Sequence, residues 1–141
     1  MKRLPVGLIG AGRIGQVHAT TLAFRVPEAT LLAVTDLDRA AAESLARRCR
    51  VPAVVANAEE IFAKPDIEAV LICSSTDTHA DLIVRAARAG KHIFCEKPID
   101  HDLTRIDAAL GAVQKAGVKL QIGFNRRFDS NFARVRRAVA T

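Results

Sequence analysis

The chain has 141 residues, half of them hydrophobic and 26% charged, which is enough for one domain with a sizeable core and excludes general disorder. No uninterrupted apolar stretch approaches the roughly 18 to 20 residues of a membrane-spanning helix, so we expect no membrane partner. The three cysteines, an odd number at wide spacing, fit neither a disulfide framework nor a zinc site. We therefore expect a reducing, cytoplasmic setting and no bound metal.

The net charge of +6 would suit a nucleic-acid partner if the basic residues formed one surface. From residue 125 onward the chain has five arginines against one acid, Asp129, so most of the excess lies in this last segment. The arginines are Arg126, Arg127, Arg134, Arg136 and Arg137. The last three do not form one continuous helical face, and the chain lacks tyrosine and tryptophan for base stacking. We expect no nucleic-acid partner.

Short, β-branched apolar runs alternate with longer segments of helical periodicity along the whole chain. This alternation is typical of strand–helix–strand units in a parallel sheet. The runs are apolar on both faces, as expected of strands that helices cover on both sides. The predicted strands are Val6–Ile9, Leu31–Thr35, Ala53–Ala56, Ala69–Cys73, His92–Cys95 and Leu120–Gly123. The pattern predicts a six-stranded, doubly wound α/β domain.

Helix start and stop signals occupy the intervals between these strands. The first predicted helix runs through Arg25. The later predicted N-caps are Asp38, Asn57, Asp77 or Thr78, and Asp102, while Gly90 and Gly117 are predicted to close the last two helices. In the last of these helices the periodicity places Leu103, Ile106, Leu110 and Val113 toward the core.

A glycine-rich loop follows the first predicted strand and opens the first predicted helix. It reads Gly10-Ala11-Gly12-Arg13-Ile14-Gly15. In this context Gly10 makes a tight turn, Gly12 lets the backbone approach a pyrophosphate, and Gly15 allows close helix–strand packing. Arg13 and Ile14 begin the helix, whose free N–H groups would meet phosphate charge. A tight turn without a ligand explains the same glycines, but the strand–loop–helix context favours a dinucleotide site.

Asp36 stands at the end of the second predicted strand, 21 residues after Gly15. A carboxylate at this place accepts hydrogen bonds from both hydroxyls of an adenosine ribose and repels a 2′-phosphate. Asp38 adds to that repulsion, whereas the guanidinium of Arg39 could cover adenine or neutralise a phosphate. We predict NAD as the cofactor, with NADP as the less favoured alternative.

Two further segments, taken with the glycine loop, resemble a known family. Cys95-Glu96-Lys97-Pro98 follows the fifth predicted strand, at the sheet edge where open α/β domains bind ligands. Residues 121–129 read QIGFNRRFD. Over essentially its whole length the chain resembles the N-terminal part of the glucose–fructose oxidoreductase and inositol dehydrogenase family, and most of all its inositol 2-dehydrogenase branch. The resemblance implies a six-stranded, mostly parallel Rossmann sheet with helices on both faces.

The resemblance also implies a role for each matching position. The implied cofactor contacts are Gly10, Gly12, Arg13, Ile14, Gly15, Asp36, Ser74, Ser75, Thr76, His79, Glu96, Lys97 and Pro98. The implied substrate contacts are Lys97, Asn125 and Arg126. Glu96 and Lys97 would reach the nicotinamide ribose, and a cis peptide before Pro98 would aim the lysine into the cleft. For His79, helix capping or packing explains the residue at least as well.

Lys97 is the predicted catalytic residue. When a secondary alcohol is oxidised, its hydroxyl proton leaves as hydride passes to the nicotinamide, and a fixed ammonium stabilises the developing alkoxide. An isolated lysine is usually a solvated surface charge, but its place directly after a strand favours catalysis. The other histidines, His18, His92 and His101, belong to no motif and are predicted to be surface or packing residues. Cys73 and Cys95 are predicted to be small apolar fillers on buried strands.

The resembling family also has a second, C-terminal α+β domain. That domain supplies an Asp-x-x-x-His pair, which includes the general base, and much of the substrate pocket. This chain has no such pair in a suitable place. We expect residues 1–124 to be an NAD(P)-binding domain and residues 125–141 to begin the connection to a substrate domain outside the chain. Without such a domain, the surface that it would cover is exposed, and a large apolar patch promotes self-association. We therefore expect this chain to self-associate.

These patterns predict the nucleotide-binding half of an NAD-dependent dehydrogenase that acts on a secondary alcohol of a cyclic polyol or sugar. By itself this half would bind cofactor without efficient turnover. A stand-alone NAD(P)-binding or regulatory module is the alternative. The intact Glu-Lys-Pro motif argues against that alternative, because a sensor has little need of Lys97.

Overall fold

The computed structural model describes residues 2–140 as one six-stranded sheet covered by helices. The strands are β1 (Leu4–Ile9), β2 (Ala29–Thr35), β3 (Ala53–Val54), β4 (Ala69–Ile72), β5 (His92–Cys95) and β6 (Leu120–Ile122). The helices are α1 (Arg13–Arg25), α2 (Arg39–Cys49), α3 (Ala58–Phe62), α4 (Thr76–Arg88), α5 (Leu103–Ala116) and α6 (Ser130–Val139), with a 3-10 helix (Asn125–Phe128) before α6. Within the described range, no helix has the length and apolar character needed to cross a membrane.

The strand order is β3-β2-β1-β4-β5-β6, and every neighbouring pair is parallel. The chain builds outward from β1 through β2 to β3, then returns to the centre at β4 and builds outward in the other direction. This confirms the predicted doubly wound α/β fold, with an entirely parallel sheet. The order reverses between β1 and β4, and the crevice at the carboxyl ends of these strands is where such sheets bind ligands.

The core has two layers, one on each face of the sheet. Along β4 the side chains alternate between them, because successive residues of a strand point to opposite faces. Val70 and Ile72 pack with Ile83 of α4. Ala69 and Leu71 lie in the opposite layer, which also contains side chains of α1 and α2. Both faces are therefore covered, which is why these strands are apolar throughout.

Most helix ends form as the sequence predicts. The side chains of Asp38, Asn57 and Asp102 accept hydrogen bonds from the first turns of α2, α3 and α5, at 3.2, 3.1 and 2.7 Å. Gly90 and Gly117 follow helices with φ of +72° and +67°, a conformation that favours glycine. These ends depend on residues close in sequence, so local patterns suffice to predict them.

Several boundary and packing predictions were wrong. Strands β1 and β2 start two residues earlier than predicted, and β4 and β6 stop one residue earlier. The edge strand β3 stops at Val54 instead of Ala56, because Asn57 already caps the next helix. Helix α4 starts at Thr76 after Ser75, so neither Asp77 nor Thr78 is its N-cap. In α5, Leu103 and Leu110 are exposed and Ala109 is the buried residue. The helix packs against α4, and Ala109 lies in the same core layer as the alanines of that helix.

One buried charge has a structural explanation. Lys91 is 7% exposed, and its Nζ donates to the carbonyl oxygens of Lys64 and Ile67 at 2.7 and 2.8 Å. Burial lowers the pKa of this ammonium. The two hydrogen bonds tie the turn after α3 to the start of β5 on the side of the sheet away from the crevice.

Candidate functional site

The turn between β1 and α1 is shaped by the absence of side chains at two glycines. Gly10 has φ of +101°, and a Cβ there would lie 2.5 Å from the Cys73 carbonyl group at the end of β4. A Cβ on Gly15 would overlap the Gly10 carbonyl oxygen. Gly12 is different, because a Cβ there would meet no atom within 4 Å. Gly10 and Gly15 therefore serve the fold, whereas the space beside Gly12 is open to a ligand.

The open space lies against the first turn of α1. Arg13 and Ile14 are exposed, and Gly12 has no side chain to cap the helix. The first N–H groups of a helix have no partners within the helix, and together with the helix dipole they favour a bound anion. The open space at Gly12 and these free donors fit a pyrophosphate.

Asp36 follows β2 and is fixed from two sides. Its Oδ2 accepts from the backbone N–H of Ala11 at 2.5 Å, and its Oδ1 accepts from that of Asp38 at 2.8 Å. The carboxylate is thereby held beside the glycine turn. Arg39, which could have favoured a phosphate, donates to Glu43 at 2.9 Å on the same helix.

A cleft of about 580 Å³ extends from Gly10 and Asp36 to the first turns of α3 and α4. Its charged lining residues are Asp36, Glu59, Asp77, Asp81 and Arg85. Arg85 is itself paired with Glu59 and with Asp81. The cleft thus has a negative balance, which disfavours an additional phosphate group on an adenosine ribose.

The Glu-Lys-Pro segment follows β5 at the same edge of the sheet. The peptide between Lys97 and Pro98 is cis, as predicted. Lys97 lines a second cleft, of about 620 Å³, together with Phe124, Asn125, Arg126 and Arg127. The structure therefore brings together the three residues predicted to contact substrate, which lie on the loop after β5 and on the 3-10 helix after β6.

The segment after β4 lines the first cleft. The hydroxyls of Ser74 and Thr78 are 2.7 Å apart, and Ser75 precedes the first residue of α4, Thr76. His79 is buried, and its ring nitrogens face the carbonyl oxygens of Pro98 at 2.8 Å and Ser74 at 3.0 Å. His79 thus bridges the loops after β4 and β5. Its predicted contact with a cofactor stays a prediction.

The loop after Pro98 is fixed by Asp100. The Asp100 carboxylate accepts from the backbone N–H groups of Asp102 and His101, at 3.0 and 2.8 Å, and lies 3.3 Å from the Arg105 guanidinium. The hydrogen bond from Asp102 is the largest cause of a pKa below the ordinary aspartate value. Asp100 therefore remains ionised at neutral pH and anchors the loop that carries Lys97 to the start of α5.

His18 is predicted to be a surface or packing residue, and packing is confirmed. It also makes a polar contact that the sequence did not predict, because its Nε2 lies 2.7 Å from Oε1 of Glu96. The ring also packs edge-on against Phe94, with centroids 5.1 Å apart. The available signal was spacing, since His18 follows Gly15 by three residues and shares its helix face.

The three cysteines belong to the hydrophobic core. Cys49, Cys73 and Cys95 are free and buried, as expected of small apolar side chains. Burial raises the pKa of Cys73 and of Cys95 to about 12, with the nearby Glu96 carboxylate as the second cause. Both thiols therefore remain protonated and unreactive at neutral pH.

A parallel sheet with a glycine turn, a fixed carboxylate after β2 and a ligand crevice at the reversal of strand order defines a dinucleotide-binding domain. The chain belongs to the oxidoreductase family with an NAD-binding Rossmann fold, which matches residues 4–124.

Individual relatives agree with this assignment. The chain is 53% identical to the inositol 2-dehydrogenase of Rhizobium meliloti over 135 residues, which are 94% of this chain and 39% of that protein. It is 40% identical to the myo-inositol 2-dehydrogenase of Thermotoga maritima, over 95% of this chain and 40% of the relative. The crystal structure of scyllo-inositol dehydrogenase from Lactobacillus casei, with bound NAD(H) and scyllo-inositol, superposes with a TM-score of 0.92. It is 33% identical, and the match covers 99% of this chain and 41% of that one. The chain thus spans about 40% of the length of these relatives.

The different surroundings of Gly12 and Gly15 predict different effects of substitution. Gly12→Asp places a favourable N-cap side chain in open space, so stability should change by no more than about 0.5 kcal/mol. Its volume and negative charge should weaken NADH binding at least about tenfold. Gly15→Ala should lower the free energy of unfolding by about 2 kcal/mol, because helix α1 must move. Urea unfolding and NADH titration measure both effects.

Gly111→Ala is the control, because this position in α5 is also open. It should raise helix stability by about 0.5 to 1 kcal/mol and leave NADH binding unchanged. If Gly12→Asp bound NADH as tightly as the parent chain, the pyrophosphate site would lie elsewhere.

Proposed function

We propose that this chain is the nucleotide-binding part of an NAD-dependent oxidoreductase that oxidises a secondary alcohol of a cyclic polyol or sugar, as the inositol dehydrogenases it resembles are named to do. The observation that carries the proposal is the cleft shared by Lys97, Asn125 and Arg126, next to the dinucleotide crevice. It combines a cation suited to an alkoxide with side chains that donate hydrogen bonds to hydroxyl groups.

The residues at the crevice fit the dinucleotide. Gly12 and the free N–H groups of Arg13 and Ile14 would hold the pyrophosphate, and Asp36 would accept from the adenosine ribose. Ser74, Ser75 and Thr76 would line the nicotinamide side, with Glu96 at the nicotinamide ribose. The bound nicotinamide supplies the hydride acceptor. The negative balance of the cleft at Asp36 favours NAD over NADP.

At the other cleft, Lys97 would bind the reacting hydroxyl through Nζ. Its ammonium would stabilise negative charge on that oxygen as the proton leaves, which lowers the barrier more than it strengthens ground-state binding. Asn125 and Arg126 would orient the ring by donating to neighbouring hydroxyls. A polyol offers several such hydroxyls, so this set of donors suits it better than an apolar substrate.

A second domain would complete this site. We propose that residues 1–124 form the NAD(P)-binding domain and that residues 125–141 begin the connection to a substrate domain carrying the general base. The relatives' greater length supports this division. Helix α6 supports it as well, because none of its residues is buried.

The exposed apolar side chains near α6 support a proposal that the isolated chain self-associates. Phe124, Phe128, Phe132, Val135 and Val139 are 48 to 81% exposed. Such a concentration of apolar surface favours contact with another protein surface. Light scattering at high concentration should therefore show dimers or larger species, and a monodisperse monomer would contradict this.

The free, buried cysteines support a reducing, cytoplasmic setting.

The cofactor preference can be tested by titration. The parent chain should bind NADH more tightly than NADPH, and Asp36→Asn should reduce the ratio of the two affinities by about tenfold, because a neutral amide does not repel a 2′-phosphate. Asp107→Asn, an exposed acid on α5, should leave the ratio unchanged. Tighter binding of NADPH by the parent chain would refute the role given to Asp36.

The reaction can be tested in a chimera. Residues 1–141 replace the matching N-terminal part of the Rhizobium meliloti inositol 2-dehydrogenase, and NADH formation is measured with inositols and sugars. We expect polyol oxidation, and Lys97→Met should lower kcat by about 10²- to 10³-fold because the developing alkoxide loses its counter-charge.

Lys115→Met is the matched control, because Lys115 is exposed in the last turn of α5. It should leave kcat unchanged. A chimera that binds NADH but oxidises none of these polyols, or one in which Lys97→Met keeps the parent rate, would overturn the proposed reaction.

A further inference from the structure

His18 and Glu96 join two parts of the crevice that are 78 residues apart in sequence. His18 lies in the second turn of α1, just beyond the glycine turn, and Glu96 precedes Lys97 after β5. Their contact therefore links the helix that begins beside the open space at Gly12, which suits a pyrophosphate, to the loop that carries Lys97. In an extended dinucleotide, the ribose of the second nucleotide lies between these two places.

The backbone N–H of Glu96 and both of its carboxylate oxygens have hydrogen-bond partners. Its backbone N–H donates to the Ile72 carbonyl oxygen at 3.0 Å, and its Oε2 accepts from the Lys97 N–H at 3.3 Å. Its Oε1 is the partner of His18. Gly123 leaves room for this carboxylate, because a Cβ there would lie 3.0 Å from Oε1. Of these contacts, only the one to His18 comes from the side chain of another element.

The side chains of His18 and Glu96 are mostly enclosed rather than free on the surface. The side chain of Glu96 is 14% exposed and that of His18 is 25% exposed. The edge-on contact with Phe94 fixes the plane of the imidazole, so that Nε2 is directed at the carboxylate. A carboxylate oxygen can accept more than one hydrogen bond. Glu96 thus retains acceptor capacity for ribose hydroxyls while His18 holds it in place.

We propose that His18 is a positioning residue for the nicotinamide half of the cofactor site. It donates from Nε2 to Glu96 and thereby holds the carboxylate toward the nicotinamide ribose and against the backbone of Lys97. The assignment rests on the proposed function. Without His18, the carboxylate is free to turn toward water, so the site loses a ribose acceptor and a support of the Lys97 backbone.

The test compares ADP and NADH, which share the adenosine and pyrophosphate groups. ADP occupies the adenosine and pyrophosphate sites only, whereas NADH also reaches Glu96. His18→Leu should weaken NADH binding about tenfold, leave ADP binding within about twofold, and reduce the change in nicotinamide fluorescence on binding. A purely structural role would weaken both ligands alike or neither.

His18→Gln and His18→Asn separate position from packing. The Gln amide reaches about as far as Nε2 and should restore NADH affinity to within about threefold of the parent, whereas the shorter Asn should not. If His18→Leu does not fold, the comparison of His18→Gln with His18→Asn still tests whether His18 positions Glu96. His101→Gln, at an exposed histidine, is the control and should match the parent chain.

The outcomes distinguish this assignment from the proposed function. If the parent chain binds NADH and His18→Leu and His18→Asn bind it equally well, the assignment is overturned and the proposed function stands. Equal loss of ADP and NADH binding also overturns the assignment. If the parent chain binds neither ligand, the proposed function fails and this assignment fails with it.

Discussion

The close approach of helix α1 to the carboxyl ends of β1 and β4 is the constraint on which the rest of the site depends. A Cβ on Gly15 would overlap the Gly10 carbonyl oxygen, and one on Gly10 would lie 2.5 Å from the Cys73 carbonyl. Because both glycines lack that atom, α1 begins directly over the reversal of strand order. Its free N–H groups then face the crevice, and Ala11 lies within hydrogen-bond distance of Asp36.

The same placement of α1 carries His18 to Glu96, so a turn at one end of the helix determines a contact at the middle of the crevice. The loop bearing Lys97 is then fixed by contacts to three elements. His18 holds Glu96, His79 holds the carbonyl of Pro98, and Asp100 accepts from the backbone at the start of α5. Lys97 itself is left exposed, which suits the substrate contact proposed for it.

Local signals in the sequence determine those parts of the fold that depend on neighbouring residues. The caps at Asp38 and Asp102 and the glycine turn each need only a few consecutive residues, so they could be predicted. The exposure of Leu103 depends on how α5 lies across α4, and the contact of His18 depends on a residue 78 positions away. Hydrophobic periodicity shows which face of a helix is apolar. It does not show which neighbouring element covers that face, or which polar group a side chain of the helix contacts.

The two clefts differ in charge, and this difference gives the carboxyl edge of the sheet two chemically distinct ends. The cleft at Asp36 is lined by four acids and one arginine, which is already paired, while the cleft at Lys97 is lined by one lysine and two arginines. A dinucleotide bound across both clefts would have its adenosine ribose beside carboxylates that accept from hydroxyls, and its nicotinamide end toward the cations. The electrostatic field of the domain therefore favours one orientation of the dinucleotide. Under the proposed function, that orientation would place the reacting carbon of a polyol next to Lys97.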